Sequence, residues 1–325
     1  MALMAVLSLL GMGVWMLAGG DAQSVSDLKW LQFIQTLSIF LLPAIIGAWL
    51  WSPDHRPFSW LRLTSGLTGE AGLTAQLSNS PQDCSTAKLS NIALAIATML
   101  CALPAINLLA DLNSRVVLPE CMATLEAMLR AQEEAAAQLT ERFLRADDLF
   151  TLFINICLLA LLPALAEEIS FRGTLQQIIT NNSKDCSTAR GCLTGTACST
   201  ATRSHTAIWL TAFLFSAIHL QFYGFVPRML MGAMFGYIFV WTGSLWIPIL
   251  MHAVNNAFAV ITYYIISHSE GGEQLLADNR SWADTIGTGT MWWLGVLSLI
   301  LTLALLCLLR RQYTRHEAQE PIINN

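Results

Sequence analysis

Charge is what this sequence has least of. Only 12% of its 325 residues are Asp, Glu, Lys or Arg, about half the ~25% usual in soluble domains. With 54% hydrophobic residues and a mean hydropathy of +0.53, the chain could not cover an aqueous surface, so lipid is the solvent for much of it. No basic tract is present, which excludes a nucleic-acid partner. The net charge of −5 says little by itself, because the sign varies along the chain. No Lys or Arg precedes the first apolar run, so the basic start of a secretory signal is missing. The run at 1–19 therefore reads as a span.

Closely spaced cysteine pairs are also lacking. Of the eight cysteines, Cys101, Cys157 and Cys307 fall in apolar runs, where a thiol behaves as a small hydrophobe. Cys84, Cys186, Cys192 and Cys198 fall in polar loops. The last three, with His205 nearby, are spaced more widely than the pairs of structural zinc sites.

What the sequence does contain is long apolar runs. Eight are near the ~17–25 residues needed to cross a bilayer: 1–19, 28–51, 89–110, 148–172, 204–222, 225–243, 244–266 and 288–309. The fold class is all-α, a polytopic transmembrane bundle of about eight spans. Short links, Gln221 to Gly224 and Thr242 to Ser244, make the fifth, sixth and seventh spans antiparallel neighbours. Arg310, Arg311 and Arg315 place the C-terminus in the cytoplasm. Loops 52–88 and 181–203 then lie inside, and loop 111–147 lies outside despite its four arginines.

Three segments follow from this pattern. Residues 1–147 hold the first spans and an extramembrane stretch, 148–266 form a helical core, and 267–325 carry the last span and a cytoplasmic tail. Within the first segment, Glu126 to Asp148 is rich in Ala, Glu, Gln and Leu, with Met122, Leu125 and Leu129 at helical spacing. An amphipathic helix on the membrane surface is expected there, rather than a substrate lid. One short echo, Asp83 to Lys88 repeated as Asp185 to Arg190, has no longer period around it.

Ionisable groups inside spans are costly and mark function by default. They fall into three clusters: Glu167-Glu168 with Arg172, Phe215 with His219, and His252 with Asn255-Asn256. Glu168 and Arg172 are four apart and share a helix face. Glu167 points about 100° away and needs another partner. His252 and Asn256, again four apart, project together.

Peptide hydrolysis by water needs a base, a group to position the water and donors for the oxyanion. One glutamate, two histidines and an asparagine supply these without a serine or cysteine nucleophile. The same Glu167, His219 and His252 are candidate ligands for a divalent metal such as zinc, although no H-E-x-x-H motif is present. No other cofactor is indicated.

At these residues the sequence resembles the CPBP family, the CAAX prenyl proteases and bacteriocin-processing proteins. Its E-E-x-x-x-R motif is matched by Glu167, Glu168 and Arg172, its F-x-x-x-H by Phe215 and His219, and its H-x-x-x-N by His252 and Asn256. The resemblance covers roughly 148–265. It implies an intramembrane endopeptidase, in a bacterial inner membrane, with a site facing the cytoplasmic side and a membrane-associated peptide or protein as substrate. It further implies that Glu167 activates water with His219, that His252 and Asn256 hold the oxyanion, and that Glu168 with Arg172 brace the site. Two other classes use similar residues. A proton-coupled transporter would show inverted repeats, which are not visible, and a non-catalytic immunity protein would not need the full set.

Overall fold

The computed structural model describes residues 2–52, 55–63, 81–180, 200–272, 274 and 289–318, and among them all regular structure is helical. The helices are α1 (Ala2–Leu17), α2 (Val25–Trp51), α3 (Pro81–Ser114), α4 (Ala123–Leu144), α5 (Leu149–Thr180), α6 (Thr200–Ala217), α7 (Phe225–Thr242), α8 (Trp246–Ser267) and α9 (Trp292–Ala318). The bundle is that of an integral membrane protein.

Among the described residues six helices are long and apolar enough to cross a bilayer, those in α2, α3, α5, α7, α8 and α9, where the sequence predicted about eight spans. The two exceptions have simple causes. Helix α1 has 16 residues, a rise of about 24 Å against a hydrocarbon core of ~30 Å. Helix α6 begins Thr200-Ala-Thr-Arg-Ser-His205, so its apolar part is shorter than the helix.

Proline shapes the longest spans. In α2 and α5 a turn of π-helix precedes a Leu-Leu-Pro step, at Thr36–Leu41 before Pro43 and at Ile156–Leu161 before Pro163. Proline has no N–H and crowds the carbonyl one turn back, so the helix widens ahead of it. In α3, Pro104 sits inside a helix that stays α-helical throughout. There Ser298 of α9 accepts from the Ala105 amide at 3.1 Å and donates to the Cys101 carbonyl, bridging the interrupted ladder. A hydroxyl from a neighbouring helix meets the need that water cannot meet in lipid.

Small residues let the helices approach. Ala95, Met99 and Ala102 of α3 pack with Phe235 and Ile238 of α7 and with Ile247 and Met251 of α8. Beside Gly236 of α7, an added Cβ would come 2.9 Å from Gln176 Oε1 and 3.0 Å from Ile208. Gly236→Ala should therefore destabilise the protein by about 1–3 kcal/mol through overpacking, seen as a lower unfolding temperature in detergent. An unchanged temperature would mean that this contact is not tight.

Helix α4 matches the expected amphipathic element, with no buried residue along its 22 positions. It is anchored at both ends. Arg142 donates to the Gln23 carbonyl at 3.1 Å, and Asn155 of α5 donates to the Leu144 carbonyl at 3.0 Å while accepting from Lys29 at 2.6 Å. Toward its start, Arg130 lies 4.3 Å over the Tyr223 ring and Glu133 accepts from the Tyr223 amide at 3.2 Å. Its first half therefore rests against the link between α6 and α7. Cys186, Cys192, Cys198 and the second copy of the echoed segment lie outside the described residues.

Candidate active site

The three polar clusters meet where α5, α6, α7 and α8 pack together. Glu168 and Arg172 sit on either side of the junction between the α-helical Leu162–Glu168 and a π-helical stretch at Ile169–Gln176. Arg172 is almost fully enclosed. It donates to Glu168 Oε1 at 2.7 Å and to the Gly232 carbonyl at 2.9 Å, and its guanidinium lies 4.6 Å over the Phe215 ring. Gly232 gives it room, since a Cβ there would stand 3.2 Å from Arg172 Nη2.

Glu168 Oε1 is shared. Besides Arg172 it accepts from His252 Nδ1 at 2.9 Å, tying the first cluster to the third. This hydrogen bond puts the His252 proton on Nδ1, because a carboxylate can only accept. Nε2 of the same ring then faces Glu167 Oε2 at 3.9 Å. That is the partner Glu167 lacked in the sequence. The His252 ring is held flat against Phe235, with centroids 5.4 Å apart. It also meets Phe215 edge-on at 6.0 Å.

His219 follows the end of α6, in the turn that leads to α7. Its Nδ1 lies 2.7 Å from the Phe215 carbonyl. A carbonyl only accepts, so Nδ1 carries the proton and Nε2 of the neutral ring is left as an acceptor. On α8, Asn255 donates to Asn256 Oδ1 at 3.1 Å. That bond engages the oxygen of Asn256 and leaves its amide group free to donate.

The two glutamates thus differ in kind. Glu168 is completely enclosed and fixed by two donors, whereas the Glu167 side chain keeps 12% of its surface exposed. Only Glu167 has both access and freedom from a strong ion pair. As for the zinc reading, among the described residues no three His, Cys, Asp or Glu side chains stand close enough together to hold a metal ion. Glu167, His219 and His252 share one site without forming a closed ligand set.

The sequence missed some contributors. Phe235 and Gly232 orient His252 and Arg172, yet in the sequence they look like ordinary packing residues. Arg228 of α7 was visible as a charge in an apolar run and belongs with the other three clusters. Its electrostatic neighbours are Glu133 and Glu167, which puts it at the edge of the site.

Fold and site together define a polytopic membrane protein with a buried carboxylate–imidazole–carboxamide centre. Residues 149–258 match the family model described as Type II CAAX prenyl endopeptidase Rce1-like, about a third of the chain. The match includes Glu167, Glu168, Arg172, His219, His252 and Asn256, and it agrees with the resemblance carried by their motifs. Neither the curated proteins nor the solved structures gave a match.

Proposed function

We propose that the protein is an intramembrane endopeptidase of the CAAX type that hydrolyses a peptide bond with a glutamate-activated water. The observation that carries this reading is the contrast between the two adjacent glutamates, one locked in an ion pair and one partly open and facing His252 Nε2. Glu167 would take the proton of water, and His219 Nε2 would accept from the same water and orient it. Asn256, through its free amide group, would donate to the carbonyl oxygen as it becomes an oxyanion. His252 would join it when its ring carries a second proton, since Nδ1–H is already committed to Glu168. Glu168 and Arg172 would hold His252 and the α5–α7 contact in place.

A metal is not needed in this scheme, and the open arrangement of Glu167, His219 and His252 favours the water mechanism. The membrane is proposed to be a bacterial inner membrane. The substrate is proposed to be a peptide or protein held at its surface, and lipid the only other partner.

A lipid-modified substrate fits one further feature. A cavity of about 420 Å³, lined by Leu41, Ile45, Phe58, Leu61, Leu63, Leu165, Ile169 and Trp246, is apolar throughout. Leu165 and Ile169 each stand two residues from Glu167, about 200° around α5, so an isoprenoid chain there would lie across that helix from the base. Purified protein in liposomes should cleave a prenylated peptide at least about tenfold more efficiently than its unmodified form, as expected for burying several methylene groups. Cleavage would be followed by mass spectrometry, with and without a chelator. Equal cleavage of both peptides would remove the prenyl requirement, and inhibition by the chelator would overturn the metal-free mechanism.

A further inference from the structure

We propose that Arg228 binds a carboxylate of the substrate and so sets which peptides the site accepts. This rests on the endopeptidase reading and adds a specificity-determining residue to it. Arg228 lies in the first turn of α7, just beyond Gly224, where a Cβ would come 3.0 Å from its Nη2. Nη2 donates to Gln221 Oε1 in the preceding link. Nη1 is buried and has no hydrogen-bond partner.

Comparison with Arg172 sharpens the point. Arg172 spends its donors on Glu168 and on the Gly232 carbonyl, with Phe215 over its face. Both of its terminal nitrogens are engaged within the protein. Arg228 is held on one side only. A buried guanidinium donor with no acceptor is unfavourable until an acceptor arrives, and its fork geometry suits a carboxylate.

The acids that act on Arg228 are Glu133 on α4 and Glu167 on α5. Glu133 already accepts from the Tyr223 amide, and Glu167 faces His252. An incoming carboxylate would therefore meet a cation set between the base and the covering helix. The carboxylate could be the peptide's own C-terminus or an acidic side chain, and the chemistry is the same.

The test is binding, which does not depend on turnover. Full-length Glu167→Gln protein in liposomes is titrated with a prenylated peptide as its free acid and as its C-terminal amide, each with and without an acidic side chain. The acid should bind about 10- to 100-fold more tightly than the amide, the range for a hydrogen-bonded charge pair. Adding Arg228→Gln should bring that ratio close to one, and Arg228→Lys should restore part of it. If amidation has no effect but the acidic side chain does, and Arg228→Gln erases that difference, the ligand is the side chain. If no carboxylate affects binding, or if Arg228→Gln weakens acid and amide equally, the proposal is wrong. Absence of cleavage by the wild-type protein would count against the endopeptidase reading alone.

Discussion

Glu167→Gln should reduce peptide cleavage by about 10²- to 10⁴-fold, the usual contribution of a positioned general base, and leave the unfolding temperature unchanged. The amide replaces the carboxylate atom for atom, so packing is preserved. The nearest partner is His252 Nε2 at 3.9 Å, too far for a strong hydrogen bond, so little stability is lost. The loss should appear in kcat, because the base acts in the transition state and not in ground-state binding. His219→Gln should cost less, since it orients the water but is not the principal proton acceptor. A Glu167→Gln protein that unfolds at a clearly lower temperature would show that this side chain is structural.

Arg172→Met should behave in the opposite way, destabilising the protein by about 3–5 kcal/mol and losing activity as a consequence. Removing the guanidinium leaves Glu168 with no counter-charge, at 0% exposure and with His252 as its remaining donor. It also strips the Gly232 carbonyl of its side-chain partner. The informative comparison is the double variant Glu168→Leu with Arg172→Met. Removing both charges should recover much of the lost stability, because an apolar pair replaces a buried ion pair with little net cost. Activity should not return, since His252 would have lost the acceptor that fixes its ring. Recovery of cleavage in the double variant would mean that the pair has no role in holding His252.

Much of this site could be read from the sequence. Glu168 and Arg172 were expected to pair from their spacing of four, and they do so at 2.7 Å. That the three clusters mark a site followed from the cost of burying ionisable groups, and the short links predicted the antiparallel course of α6, α7 and α8. Other features depend on details that spacing cannot carry. The π-helical turns before Pro43 and Pro163 change which faces of α2 and α5 point inward. The roles of Phe235 and Gly232 come from packing across helices. The span count differed because a hydropathy run does not record where a helix starts, and α6 begins on polar residues.

Helix α4 lies between these cases. Its amphipathic pattern predicted a surface helix, and its exposed Leu125, Met128 and Leu139 agree with that. Its contact with Tyr223 through Arg130 and Glu133 brings it beside the site, which no local pattern could reveal.

The most direct test of the account is a side-by-side cleavage assay of wild-type and Glu167→Gln protein in liposomes, with thermal unfolding measured on the same preparations. The account predicts that the wild type cleaves a membrane-held peptide and that the variant, equally stable, does not. Cleavage by a folded Glu167→Gln protein at the wild-type rate would contradict it.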